Sequence, residues 1–98
     1  MDIRAAQPGD EDSILDLIKG LAEFENEPQA VDNTAEKLRA DLFEHNHCDA
    51  LVAVDNNEVI GFALFYTSYS TWKGPCLYLE DIYITPDKRH TGAGSMLF

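Results

Sequence analysis

The spacing of apolar residues predicts a first helix in the N-terminal part of the chain. A short apolar strand is expected over residues 3–6, and Pro8 breaks it. Four apolar residues then recur at helical spacing, which predicts a helix with one buried face. These residues are Ile14, Leu17, Ile18 and Leu21. Asp10 or Ser13 is expected to cap this helix, because short polar side chains accept hydrogen bonds from the first helical N–H groups.

A second helix and three strands are predicted downstream. Thr34 is expected to cap the second helix, in which Leu38 and Leu42 lie one turn apart. Three apolar runs are then separated by polar or Gly-Pro turns, which is typical of strands. They cover residues 50–54, 59–69 and 77–84. Gly61 is expected to mark a bulge or a close backbone approach.

A glycine-containing segment ends the chain after the last predicted strand. Residues 92–98 are predicted to open a helix, so the complete order is β-α-α-β-β-β-α. That order predicts a mixed α/β domain. The apolar face of the last helix begins and then stops without a capping signal. We therefore interpret residues 1–98 as one N-terminal part of a domain that is truncated after the helix start.

Composition restricts the classes of partner. The chain has 98 residues, with 7 Lys and Arg against 18 Asp and Glu, giving a formal net charge of −11. This balance argues against nucleic-acid binding and is compatible with a cationic partner. No apolar run approaches the length of about 20 residues that spans a membrane. Cys48 and Cys76 form no metal-binding or redox motif, and we expect reduced thiols and a cytoplasmic location.

The basic residues near the C-terminus accompany a phosphate-binding pattern. Residues 89–94 read R-x-x-G-x-G between a strand and a helix start. Glycines allow a ligand to approach the backbone, and the N–H groups at a helix start favour an anion. The spacing alone is also compatible with an ordinary glycine turn. It does not match a Walker loop, because the ending G-K-[ST] is missing. It does not match a dinucleotide-binding fingerprint, because Leu97 occupies the place of the third glycine.

Together with the strand before it, this pattern resembles the GCN5-related N-acetyltransferase superfamily. Residues 77–86 read LYLEDIYITP, and residues 18–25 and 69–74 read IKGLAEFE and YSTWKG. These segments look like the diamine acetyltransferases, the branch of the spermidine/spermine and thialysine enzymes. The resemblance covers essentially the whole chain and implies the mixed-sheet acyl-CoA N-acyltransferase fold, with acetyl-CoA as the donor and no metal.

Two features depart from the family pattern. His90 stands where family loops commonly have glycine, so its Cβ could crowd the pyrophosphate. The family also has a second half that supplies a further strand, a wall of the acyl slot and a proton-donating tyrosine. We therefore expect the 98-residue chain to turn over slowly or not at all by itself.

The resemblance implies a set of donor-binding residues. Backbone groups at the end of the last strand would contact the acetyl-CoA thioester and its adjoining arm, and the loop would hold the pyrophosphate. The implied residues are Ile82, Tyr83, Ile84, Arg89, His90, Thr91, Gly92, Ala93, Gly94 and Ser95.

Acetyl transfer also needs a neutral amine. An amine with a pKa near 10.4 is about one part in a thousand neutral at pH 7, so a nearby carboxylate must accept the proton. By resemblance Glu80 is the first candidate for this base and for contact with the substrate, and Asp81 is the second. Adjacent strand residues alternate, so their side chains are expected on opposite faces. Either carboxylate could instead have only a structural role.

The substrate is expected to be a small cationic amine. Phe24, Glu25 and Trp72 could form an acidic, aromatic slot for it, with Trp72 stacking on the amine or its methylene stem. Ser70 stands where some polyamine-type members carry Asp, which favours a lysine-like or small diamine substrate. His45, His47 and Cys48 lack a matching second cluster, so no metal site is expected.

Two other functional classes stay open. The chain could be a non-catalytic remnant that binds CoA weakly, or an interaction module. The edge of the last strand would then favour strand addition or a homodimer. Three outcomes distinguish these possibilities. Turnover of amines supports the enzyme, CoA binding without turnover supports the remnant, and a stable complex without CoA binding supports the interaction module.

Overall fold

A computed structural model describes residues 2–86, which form a four-stranded sheet with its helices inserted between the first and second strands. The strands are β1 (Asp2–Ala5), β2 (Asp49–Asp55), β3 (Glu58–Ser70) and β4 (Gly74–Ile84), and the helices are α1 (Glu11–Phe24) and α2 (Ala35–Arg39). The sheet order is β1-β2-β3-β4, and every neighbouring pair is antiparallel. The predicted α/β order is confirmed as far as β4. The helix predicted over residues 92–98 lies outside the described residues.

The apolar stripe of α1 packs against the sheet as predicted. Ile14, Leu15 and Leu17 are buried in this interface. Of the two predicted caps, Ser13 lies inside the helix, and Asp10 occupies the N-cap position with helical dihedral angles but its side chain makes no capping bond. Its carboxylate accepts instead from Arg4, with N–O distances of 2.6 and 3.1 Å, and from the Gln7 N–H. Asp10 therefore ties β1 to the start of α1.

The second helix begins at the predicted cap and ends in an unusual turn. The Thr34 Oγ1 accepts a hydrogen bond of 3.1 Å from the Lys37 N–H. After Arg39 the chain continues through a π-helical turn, Ala40–Glu44. A π-helical turn is wider than an α-helical turn because its hydrogen bonds join residues i and i+5. Leu42 is buried in the core, and its neighbour Phe43 also packs against it. Both predicted contacts, Leu38 and Leu42, lie in the core.

Loss of the Thr34 cap is expected to destabilise the chain. Thr34→Ala leaves the Lys37 N–H without its side-chain acceptor, which typically costs about 1 kcal/mol in the free energy of unfolding. Urea denaturation followed by circular dichroism measures this. Thr71→Ala, in the exposed β3–β4 turn, is the matched control and is expected to change stability by less than about 0.5 kcal/mol. Equal effects of the two variants would contradict the capping role.

Hydrophobic side chains form one cluster beneath the helices and a second cluster elsewhere on the sheet. The first includes Ile14, Leu17, Leu38, Leu42, Val52, Phe62 and Tyr83. The second consists of Ala53, Ile60, Ala63 and Ile84, with Ile3, Leu51 and Ile82 packed against it. The two clusters hold alternate residues of the strands, such as Val52 and Ala53, and therefore belong to opposite faces of the sheet.

A bulge interrupts this alternation beside Gly61. Ala53 pairs with Gly61 but Val54 pairs with Val59, so Ile60 is the extra residue of β3. Gly61 also lies against β4, because a Cβ built on it would be 2.2 Å from the Ile84 Cδ1. The sequence prediction of a bulge or close approach at Gly61 is thus confirmed on both counts.

The turn between β2 and β3 is the predicted polar hairpin turn. Asn56 and Asn57 have φ angles of 51° and 65°, which asparagine tolerates better than most residues.

Across residues 2–86 there is no helix of the length and apolarity that a membrane crossing requires.

Candidate functional site

A second bulge determines where the two candidate carboxylates point. Leu64 pairs with Asp81 and Phe65 pairs with Leu79, so Glu80 is the extra residue of β4. The prediction that Glu80 and Asp81 lie on opposite faces is wrong, because both residues line one cavity. A bulge breaks the two-residue period of the strand, so two successive side chains can share a face.

The cavity lies between the C-terminal half of α1, the 3₁₀ turn at Pro28–Ala30 and the middle of β4. Its volume is about 340 Å³. The apolar part of its lining consists of Ile18, Leu21, Ala22, Ala30 and Val31. The remaining lining residues are the carboxylates Glu25, Glu27, Glu80 and Asp81, and no basic side chain of residues 2–86 lines it. An aliphatic chain bearing ammonium groups fits such a combination of walls.

The electrostatics of the cavity favour a proton on Asp81. Partial burial raises the pKa of the Asp81 carboxyl above its usual range, and the negative charges of Glu80 and Glu25 raise it further. Glu25 directly follows the last residue of α1 and lines the same cavity as Asp81 of β4. The group can therefore take up a proton more readily than an ordinary aspartate, and a bound cation would relieve the repulsion.

The raised pKa predicts how stability depends on pH. The folded chain binds the Asp81 proton more tightly than the unfolded chain, so the resulting stabilisation is present at low pH and is lost as pH rises through the folded-state pKa. Asp81→Asn is therefore expected to raise the urea midpoint at pH 7 and to have little effect near pH 3. Asp32→Asn removes an exposed carboxylate elsewhere and measures the general effect of one charge less. A gain for Asp81→Asn no larger than this control would contradict the prediction.

The structure brings together only part of the predicted substrate slot. Glu25, Glu80 and Asp81 share the cavity, whereas Phe24 is 65% exposed and lies beside it at the end of α1. Trp72 is 93% exposed in the β3–β4 turn. The strand from Gly74 to Glu80 spans roughly 20 Å at about 3.3 Å per residue, so Trp72 is remote from the cavity of its own chain.

The predicted donor-binding residues fall at and beyond the end of β4. Ile82, Tyr83 and Ile84 form the last residues of the strand. The Tyr83 side chain is buried against α1, and the side chains of Ile82 and Ile84 belong to the second core cluster, so the backbone is what these residues could offer a ligand. Residues 89–95, which include the rest of the predicted set from Arg89 to Ser95, lie outside the described residues.

Sequence reasoning missed the third wall of the cavity. Glu27, Ala30 and Val31 line it because the chain turns back after α1. The available signal was Pro28, which is well suited to the first position of a helical turn and here begins the 3₁₀ turn.

The isolated His45 and His47 rings lie 5.5 Å apart, and the described part of the chain contains no group of three metal-binding side chains.

Comparisons with known proteins identify the family of the chain. Residues 13–98 match the profile of the acetyltransferase (GNAT) family. The chain is 44% identical to a thialysine N-epsilon-acetyltransferase of Bos taurus, over 97% of this chain and 61% of that protein. It is 39% identical to the Caenorhabditis elegans protein of the same name, over 99% of this chain and 60% of that protein. The chain thus spans about three fifths of the length of these curated relatives.

Solved structures show the same fold at low sequence identity. A possible acetyltransferase from Clostridium difficile 630 has a TM-score of 0.78 at 22% identity, with 99% of this chain and 65% of that chain covered. A mutant protein from Bacillus halodurans has a TM-score of 0.81 at 18% identity, with 100% and 70% covered. Because residues 13–98 match the family profile and the chain is 44% identical to a curated relative, the chain belongs to the acetyltransferase (GNAT) family.

Proposed function

We propose that this chain is the N-terminal part of an N-acetyltransferase that moves an acetyl group from acetyl-CoA to a primary amine of a small cationic substrate. The substrate class is a diamine, a polyamine or a lysine analogue. The observation that carries the proposal is the cavity that combines apolar walls with the carboxylates Glu25, Glu80 and Asp81. The names of the relatives, thialysine N-epsilon-acetyltransferase and spermidine/spermine N(1)-acetyltransferase-like protein 1, support this substrate class.

The carboxylates of the cavity have two proposed tasks. Glu80, on the bulge of β4, accepts the proton from the reacting ammonium, directly or through water, so that the nitrogen becomes nucleophilic. Asp81 lies beside it and shares that proton, since its pKa is raised by burial and by its neighbours. Glu25, at the opposite wall directly after the end of α1, attracts the second positive charge of a diamine. The apolar walls contact the methylene chain between the two nitrogens.

The end of β4 is the proposed site for the donor. Acetyl-CoA, when bound, supplies the acetyl group as a thioester. We propose that the backbone of Ile82, Tyr83 and Ile84, the last residues of β4, contacts the thioester and its adjoining arm, as the family resemblance implies. We propose that residues 89–95, from Arg89 to Ser95, hold the pyrophosphate.

Transfer is proposed to occur directly from donor to amine. An acyl-carrying cysteine would need to ionise readily. Burial and the nearby carboxylates Asp41 and Asp49 instead raise the pKa of the Cys48 thiol above its usual range. Neither Cys48 nor Cys76 lines the cavity.

We further propose that the protein works as a homodimer in the cytoplasm, without nucleic-acid, membrane or metal partners. Large exposed hydrophobic side chains extend from the end of β3 through the turn into β4, and they offer a surface for a second copy. They are Tyr69, Trp72, Leu77, Tyr78 and Leu79. Sedimentation velocity measures this, and a monomer at all concentrations tested would contradict it.

Calorimetric titration of the 98-residue chain with acetyl-CoA tests the donor site. We expect saturable heat that is lost in Arg89→Ala, which removes a charge from the phosphate loop, and in Gly92→Trp, which fills the loop. Lys37→Ala removes an exposed positive charge from α2 and is expected to bind as the unmodified chain does. Circular dichroism checks the fold of every variant. A folded chain that gives no heat with acetyl-CoA would contradict the proposal, and binding without any acetyl transfer would favour the non-catalytic alternative.

A further inference from the structure

A glycine in the middle of α1 lies directly against a tyrosine of β4. Gly20 is a helix-interior position, where glycine disfavours the helix by roughly fivefold in the equilibrium constant relative to alanine. A Cβ built on Gly20 would lie 3.2 Å from the Tyr83 Oη and 3.3 Å from a ring carbon of the same side chain. Those separations are shorter than ordinary van der Waals contact, so an added methyl group must push the ring or the helix by a few tenths of an ångström. The absence of a side chain at Gly20 therefore lets α1 approach β4 closely.

This contact adjoins the cavity that holds the carboxylates. Ile18 and Leu21, on either side of Gly20, line the cavity from α1. Asp81 lines it from β4, two residues before Tyr83, and alternation along the strand places both of these side chains on the helix face. The contact between Gly20 and Tyr83 thus sets the separation between α1, which Glu25 directly follows, and β4, which carries Asp81.

We propose that Gly20 and Tyr83 act as a spacer that fixes the distance between Glu25, which directly follows α1, and the carboxylates of β4. This distance selects diamines by the separation of their two nitrogens. Both residues are positioning residues in this role, because they act through the carboxylates. The inference rests on the proposed function, since it takes the cavity to be the amine site. Widening the gap is expected to favour a longer diamine over a shorter one.

The first experiment tests the contact itself, without any ligand. At the neighbouring exposed position, Lys19→Ala is expected to be more stable than Lys19→Gly by roughly fivefold in the unfolding equilibrium constant, which is the intrinsic preference of a helix for alanine. Gly20→Ala is expected to fall well short of that gain, because its methyl group presses on Tyr83. Measured against Tyr83→Phe alone, which carries any other effect of losing the hydroxyl, the double variant Gly20→Ala/Tyr83→Phe is expected to recover part of the gain, since the closest atom has been removed. A full gain in Gly20→Ala alone would overturn the spacer.

The second experiment tests selectivity. Calorimetry gives the dissociation constants of 1,4-diaminobutane and 1,5-diaminopentane for the unmodified chain, Gly20→Ala, the double variant and the control Lys19→Ala. A whole methylene in a binding pocket is worth about 10-fold or more, so a shift of a few tenths of an ångström is expected to change the ratio of the two constants by about threefold. Gly20→Ala is expected to shift it toward the longer diamine and the double variant to shift it back, whereas Lys19→Ala leaves it unchanged.

The outcomes separate this inference from the function on which it rests. If the unmodified chain binds both diamines and Gly20→Ala leaves their ratio unchanged, the spacer is overturned and the amine site stands. If the unmodified chain binds neither diamine, the amine site and the spacer are both overturned, whatever the stability measurements give. A shift in the ratio that is the same in Lys19→Ala would also overturn the spacer, because it would then arise from charge or helix content.

Discussion

Replacing Gly61 by alanine is expected to lower the free energy of unfolding by about 2–3 kcal/mol, near the upper end for overpacking of a core. The added methyl group would lie 2.2 Å from the Ile84 Cδ1 and 2.9 Å from the Tyr83 carbonyl oxygen. The isoleucine tip can rotate, although it is buried, but the carbonyl belongs to the backbone of β4 and moves only with that strand. The variant therefore separates β3 from β4 beside the bulge. Urea denaturation measures the loss.

A second substitution shows which of the two clashes dominates. Ile84→Val removes the closest atom and is expected to cost about 1 kcal/mol alone. In Gly61→Ala/Ile84→Val the cost is expected to be smaller than the sum of the two single costs, because the methyl group then fills space that Cδ1 has left. A residual loss is expected from the contact with the Tyr83 carbonyl. Strictly additive costs would contradict the packing described here.

Substitution of Glu80 by glutamine is expected to reduce the rate of acetyl transfer to a diamine by about 10²–10⁴-fold, the usual contribution of a general base. The amide keeps the shape of the side chain but cannot accept the proton of the ammonium. The loss should fall on kcat more than on KM, and it should shrink as pH rises toward the pKa of the amine, where the neutral form no longer depends on the enzyme. Mass spectrometry of the acetylated amine follows even slow turnover.

The control for Glu80 is a carboxylate of the same type outside the cavity. Glu44→Gln changes an exposed residue at the end of the π-helical turn and is expected to leave both kcat and KM unchanged. An equal loss in both variants would indicate that the overall negative charge matters. A loss in Glu80→Gln that appears only in KM would assign Glu80 to binding and leave Asp81 as the base.

The fold could be predicted from local signals to a large extent. The stripe from Ile14 to Leu21, the Thr34 cap and the three apolar runs predict the elements that are observed, since amphipathic spacing and short polar caps act within a few residues. The prediction for Asp10 was wrong because its carboxylate binds Arg4, which lies on β1. The π-helical turn could not be predicted. It accompanies the packing of both Leu42 and its neighbour Phe43 against the core, and no residue in the sequence marks such a turn.

The carboxylates of the cavity could be selected from the sequence, but their arrangement could not. Glu80 and Asp81 follow from the family resemblance and Glu25 from the expected acidic, aromatic slot, and all three line one cavity. The bulge at Glu80 reverses the expected orientation of one side chain, and a bulge depends on the register between β3 and β4 that the sequence of one strand does not contain. Glu27 was missed because the turn after Pro28 folds the chain back onto α1.

The central claim, that the acidic cavity binds a small cationic amine, is tested most directly by calorimetric titration with 1,4-diaminobutane at about 0.15 M salt, where long-range attraction to an acidic surface is screened. We predict saturable binding by the unmodified chain and by Glu44→Gln. In Glu80→Gln/Glu25→Gln, which loses one carboxylate from each of two opposite sides of the cavity, we predict binding weakened by at least about tenfold. Equal binding by all three proteins would contradict the claim, since the amine would then be held by general surface charge. Absence of binding to the folded, unmodified chain would contradict it as well.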